Sequence, residues 1–490
     1  MIRALAASAA VLALTAAAAP AAAQDWRALA AQDLAAAREE LKANHPAAVV
    51  PGPGDAFRAW VDAGHDLIAA ELGRVRGARD YYYVLQGYAG GFRDNNIRLN
   101  PSYEPLPAWF AAGTPNFATA WRNGGYVVSW VKPGVRGLPP LGARVVSCDD
   151  TPVEQLAQSR LDRWEGNLQL ESERVRTAPY LLWDRDNSFS PGLPRQCRFQ
   201  VGRGQRNFVL TTAFTSEEDR RAAWSASVFT PATPLSVETV DGRSWIRVHT
   251  LEPNADWRGF YATVEAQRAA LQGPAGLVID LRGASGLDAE AARRGYGLAN
   301  RLWTVDFTAP RQPEAGSIVY RATPGNRDWY ARALARMEAD PLFVSESMPV
   351  IEQTRAIVAA FDAAIAAGQA SFTLPGRPAV TDSGAANPVQ GRVVVLIDGG
   401  CTGGCLDVLD LLTNLPNVTL AGAPTGADSI FIEATDLRLP SNYGDLSYGH
   451  KAWATRERGH NVPYTPQATY SGNPADEAAV RAWVSSLFAG

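Results

Sequence analysis

Lysine is almost missing from this chain of 490 residues: Lys42, Lys132 and Lys451 stand alone, and arginine supplies nearly all the other positive charge. A lysine general base therefore has few candidates. Histidine is scarce as well, with five in all, and none lies at ligand spacing from the four cysteines. No metal site and no cofactor are expected on that pattern. The formal net charge is −4 and there is no basic run, which gives no reason to expect nucleic acid. Beyond residue 19 no stretch approaches the ~20 continuous apolar residues that cross a bilayer.

What is present begins with the first residues. Arg3 is followed by a short apolar run from Ala4 to Ala19, broken only by Ser8 and Thr15, and then by the small-residue stretch 20–24. That is the anatomy of a secretory signal peptide, cut near Ala23. A membrane anchor is the alternative, but the run is short and rich in alanine. The expectation is a protein exported across the inner membrane to the periplasm, without a stable membrane span. Four cysteines in an oxidising compartment allow three pairings, and the simplest joins Cys148 to Cys197 and Cys401 to Cys405. The alternative is four free buried thiols.

About 465 residues then remain, 46% of the whole chain being hydrophobic and 20% charged, which is ordinary globular material for two to four domains. Residues 24–104 read as a helical front segment. Trp26, Leu29, Leu34, Ala37 and Leu41 recur at helical spacing, Asp55 looks like the cap of a second helix, and Tyr81 to Gly91 is a third. Short strands near 126–131, 143–147, 198–201 and 208–211 dominate residues 105–215, with a helical stretch at 152–171. The run 141–153 resembles the second half of a PDZ-like domain. Such domains take peptide tails by adding a strand to a sheet edge. Residues 235–475 alternate buried strands of Val, Ile and Leu with helices, as a sheet covered on both faces does. A long helical insert is expected at 305–390 and a short helix at 476–490. The whole is an α/β chain.

Two strand-to-helix corners stand out, at 277–287 and 393–407. In each, a buried strand ends in an aspartate and small residues, and a helix starts. Free N–H groups at such a start, aided by the helix dipole, suit an anion or an oxyanion. Taken alone, glycine in a tight turn explains them at least as well.

The motifs V-I-D-L-R-G at 278–283 and V-L-I-D-G-G-C-T-G-G-C at 395–405, followed by the run from Ala421 to Asp428, resemble those of the tail-specific, or carboxyl-terminal-processing, serine peptidases. The order of segments is similar too. The resemblance implies a crotonase-like ββα superhelix core with a helical N-terminal segment and a PDZ-like β insert, peptide-bond hydrolysis as the family activity, and polypeptide or protein C-termini as partners. It places Gly403 at the serine nucleophile, Leu406 at the acid three residues on, and Asp428 at the lysine base. In branches similar to the tricorn core and retinoid-binding repeats, the base is a histidine of the front segment, and that position is Asn96 within 91–98. The backbone N–H groups of Gly404 and Gly286 match the oxyanion hole.

Nucleophile, acid and both bases are thus replaced together. Glycine has no side chain, asparagine is no base at neutral pH, and Asp428 has no hydroxyl at Gly403 to activate. An oxyanion hole with binding alone retains ~10³–10⁴-fold over water, far too little for peptide bonds. The expected function is a peptide- or protein-binding module that has lost hydrolysis. An active peptidase using Cys405, Thr402 or Ser285 is one alternative, and a small-molecule or lipid carrier on the same fold is another. His450 and His460 read as surface or structural histidines. Oligomeric state is not legible.

Overall fold

The structure is a computed structural model that describes residues 24–102, 107–286, 288, 290–313, 316–376 and 378–489. The expected signal peptide, residues 1–23, lies outside the described residues. Three helices, Trp26–Asn44, Pro53–Ala69 and Ala78–Gly91, form the front. Asp25 caps the first by accepting from Ala28 N. The second begins three residues earlier than the sequence suggested: Pro53 opens it after Gly52, and Asp55 sits in its first turn, paired with Arg58. Proline fits there because the first-turn N–H has no partner to lose.

An antiparallel sheet follows, in the order Phe117–Arg122, Gly125–Val131, Arg144–Cys148, Gln196–Val201, Gly204–Val209. Cys148 and Cys197 face each other in its register and are joined as a disulfide. The expected helix at 152–171 is two helices, Val153–Arg160 and Glu171–Thr177, separated by a loop.

The α/β expectation holds in the main sheet. Its six strands run in the order Ala468–Thr469, Val418–Gly422, Val393–Ile397, Leu277–Asp280, Arg243–Val248, Leu235–Val240. All neighbours are parallel except the last pair, an antiparallel hairpin. Every residue of Leu277–Asp280 and Val393–Ile397 is buried. Alternation explains how: Leu277, Ile279, Val393, Val395 and Ile397 face helices Trp257–Ala266, Ala291–Trp303 and Gly404–Leu412. Val278, Val394 and Leu396 face Val480 and Val484 of the C-terminal helix Glu477–Ser486. A run apolar on both faces is what double coverage demands.

The insert is not purely helical. Besides Pro324–Ala339 and Met348–Ala366 it carries strands Ile318–Arg321 and Ser371–Leu374. These join a third sheet built on the long strand Gly444–Trp453, which also pairs with Phe431–Arg438 and with Arg98–Pro101 of the front. The hairpin of Phe431–Arg438 and Gly444–Trp453 lies in a stretch for which the sequence reading named no strand. Its strands bury one side against the front helices through Phe431, Leu446 and Tyr448. His450, read from sequence as a surface or structural residue, is completely buried and hydrogen-bonded to the Tyr330 hydroxyl at 2.8 Å.

Helices Ala291–Trp303 and Gly404–Leu412 approach very closely. A Cβ on Gly295 would lie 2.1 Å from Val408 Cγ2. Gly295→Ala is therefore expected to cost about 1–3 kcal/mol in urea unfolding, and adding Val408→Ala should recover part of that loss.

Candidate functional site: two glycine corners in register

Each corner is a strand, a two-residue strand and a helix: Leu277–Asp280, Ser285–Gly286, Ala291–Trp303 in the first, and Val393–Ile397, Thr402–Gly403, Gly404–Leu412 in the second. The short strands pair in parallel, Ser285 opposite Thr402 and Gly286 opposite Gly403. The two corners thus meet directly. Asp398 ties them together. Its Oδ1 accepts from Gly283 N at 2.7 Å and from Gly400 N at 2.9 Å. A Cβ on Gly400 would fall 2.6 Å from Gly283 Cα, so the chains touch main chain to main chain. Burial raises the Asp398 carboxyl above its ordinary range.

Gly403 caps the helix with φ 56° and ψ −125°, a left-handed turn that reverses the chain sharply into Gly404. Gly404 and Gly286 both back onto Ala291: a Cβ on either would come within 2.7 or 2.5 Å of the alanine methyl. Leu406 is fully buried in the core. Cys401 and Cys405 form a disulfide across the turn, with Cα atoms 5.4 Å apart. Cys405 is therefore not free to act as a nucleophile.

The run 91–98 reaches the second corner through one intermediary segment. Asn95 Nδ2 donates to Ala427 O at 3.1 Å, and Asn96 Nδ2 donates to Phe431 O at 2.6 Å. Gly426 N in turn donates to Cys401 O at 3.1 Å. Asn96 is engaged as a structural donor. Asp428 lies in the same segment but is held by two arginines: Arg456 at 3.1 and 3.2 Å, and Arg458 at 3.1 and 2.9 Å. Arg458, nearly inaccessible, also binds Asp407 at 2.8 Å and pairs with Asp410. Both carboxylate oxygens of Asp428 are thus committed to guanidinium donors. The first corner's acid is likewise structural. Burial would raise Asp280, but hydrogen bonds from His249 and Arg282 outweigh it and hold the carboxyl below its ordinary range. Arg282 carries the contact on to Glu477 at 2.9 Å, fastening the C-terminal helix.

One pair escaped the sequence reading. His45 Nδ1 accepts from Ala47 N at 3.1 Å, so Nε2 carries the proton of the neutral ring. That atom faces Asp94 Oδ2 at 3.9 Å, and both are buried without a hydrogen-bond partner among the described residues. Asp94 Oδ1 accepts from Asn96 N at 2.9 Å. Burial pushes the Asp94 carboxyl up to about 7 and the His45 imidazole down to about 3. His45 precedes Pro46, with nothing in its sequence neighbourhood to tie it to residue 94.

No family model and no characterised protein matches the sequence. Solved structures do. Over 94% of this chain and 96% of the other, it is similar to mature CPAF, with 13% identity and a TM-score of 0.57. A mutant of CPAF gives 13% identity and 0.58, over 95% and 97% of the two chains. CPAF complexed with lactacystin gives 14% and 0.57, over 95% and 99%. The chain has the fold of CPAF. At such low identity the likeness establishes the fold alone.

Two measurements check this geometry. Asp398→Ala leaves two main-chain donors of the corners without their acceptor and is expected to lower stability by at least about 2 kcal/mol in chemical unfolding. Asp94→Asn addresses the buried pair. A carboxyl whose folded pKa is raised to about 7 stabilises the fold at acid pH and loses that contribution as pH rises through 7. The asparagine variant should therefore gain Tm relative to the parent between pH 5 and pH 8. A difference that stays flat across that range would place the proton elsewhere.

Proposed function

We propose that this chain is a tail-specific-peptidase fold that no longer hydrolyses peptide bonds and serves as a polypeptide-binding module. The observation that carries it is Gly403, which stands at the turn between the paired corners with bare main chain where the resemblance puts an attacking hydroxyl. Three further facts favour the reading. Asn96 spends its amide on Phe431, Asp428 is neutralised by Arg456 and Arg458, and Cys405 is locked in a disulfide. Cys405 is thereby withdrawn as a nucleophile, and the side chains of Asn96 and Asp428 are engaged elsewhere, which leaves Ser285 and Thr402 as the hydroxyls at the paired corners.

Two finer parts belong to the same reading. The first is that residues 105–215 act as a PDZ-like domain for chain ends. The antiparallel sheet supports it, with Gly204–Val209 on one edge and largely exposed. The second is export to the periplasm, supported by two disulfides and by the pattern of the first residues. No described helix is long and apolar enough to cross a membrane.

The parent protein is expected to take no label from a serine-directed fluorophosphonate probe. The double variant Gly403→Ser, Asn96→His should gain labelling at residue 403, since it restores a hydroxyl and an imidazole to the two substituted positions. The serine itself must adopt a positive φ, at a strain of about 1–2 kcal/mol. Stoichiometric labelling of the parent at a single residue would end the proposal.

A further inference from the structure

Where the front helices meet the antiparallel sheet domain, Arg163 is a cation without a counter-charge. The nearest carboxylate is committed elsewhere. Asp162 takes Arg93 through two bonds of 2.6 and 2.5 Å and Leu168 N at 3.0 Å. The Arg163 guanidinium has no hydrogen-bond or ion-pair partner among the described residues, and two indoles flank it. Its carbon lies 4.5 Å from the ring centre of Trp164 and 5.8 Å from that of Trp60. The residue also holds φ 72°, which side chains other than glycine seldom adopt.

The cradle is built rather than incidental. A Cβ on Gly87 would fall 2.3 Å from Trp164 Cζ3, one on Gly91 2.1 Å from Trp60 Cε2, and one on Gly90 2.2 Å from the Arg163 carbonyl oxygen. Trp60 is pinned by its Nε1–H, which donates to Tyr88 O at 2.9 Å. Trp60, Gly91, Arg163 and Trp164, with Gln158, Ser159 and the paired Arg93 and Asp162, line an open pocket of 410 Å³.

We propose that this pocket binds a carboxylate of a polypeptide ligand, with Arg163 as the receiving fork. A guanidinium that lies over two indoles and makes no hydrogen bond keeps its N–H donors for a planar partner, and a carboxylate matches them two to two. Arg93 and Asp162 cancel, which leaves one positive charge for one negative ligand group. The pocket has the size of a small-ligand site. The carboxylate can be a chain end or an Asp or Glu side chain. Only the choice of a polypeptide rests on the binding-module reading. The pocket is separate from the glycine corners, so its occupancy does not depend on what Gly403 does.

The test uses the full chain with ¹⁵N-labelled tryptophan, the indole signals of Trp60 and Trp164 being assigned by Trp→Phe variants. Three blocked peptides are titrated: N-acetyl-trialanine, its C-terminal amide, and the amide of N-acetyl-Ala-Asp-Ala. Shifts of both indoles with one or both carboxylate peptides, and not with the trialanine amide, are expected, and their relative size names the source. Arg163→Gln should weaken that response at least tenfold, and Arg163→Lys, which keeps the charge and the fold but loses the fork, should fall between. An equal response to all three peptides, no response at all, or an unchanged response in Arg163→Lys would overturn the proposal. A failure here leaves the fluorophosphonate result untouched, and the converse also holds.

Discussion

The Asp398 carboxylate is the contact on which the arrangement of the site depends. One oxygen gathers the main-chain donors of Gly283 and Gly400, which belong to strands that leave the sheet side by side. Without that shared acceptor the two corners would each need their own solution for a buried N–H, and no reason would remain for them to stay in register. With it, Ser285 and Gly286 lie alongside Thr402 and Gly403. The glycines follow from this closeness, because main chain can touch main chain only where no side chain intervenes.

Arginine does the joining at longer range. Arg282 links the first corner to the C-terminal helix, Arg458 gathers three aspartates behind the second, and Arg93 holds Asp162 to the front segment. Each of these uses several donors of a planar group at once, which a lysine ammonium does less well. The near absence of lysine from the chain is consistent with a molecule whose segments are fastened through multi-donor contacts.

The sheet and both corners were legible because their signals are local: unbroken Val, Ile and Leu runs, and glycine clusters at strand ends. The Cys401–Cys405 disulfide was legible from its four-residue spacing, whereas Cys148 and Cys197, 49 residues apart, are brought together by the sheet register. The hairpin of Phe431–Arg438 and Gly444–Trp453 was not legible. Its residues are polar on the outward side and apolar only towards helices that lie at the other end of the chain. His45 and Asp94 were missed for the same reason, since only the folded chain brings them to 3.9 Å. Asp55 was misassigned because a Pro-Gly-Asp run offers two competing helix starts, and proline with its fixed φ won. The motif aspartate Asp280 is a structural residue, which its burial and its arginine partner show and its spacing does not.

The strand Gly444–Trp453 pairs with Phe431–Arg438 along its length, and accepts Arg98–Pro101 near its start and the insert strand Ile318–Arg321 near its end. Arg98 cannot find Ser447 until nearly the whole polypeptide has been synthesised. The front of the molecule must therefore wait, its apolar helix faces uncovered, for residues 431–453 to emerge. Such long-range closure is slow, and it makes the nascent chain a natural client for holding chaperones up to the moment of release.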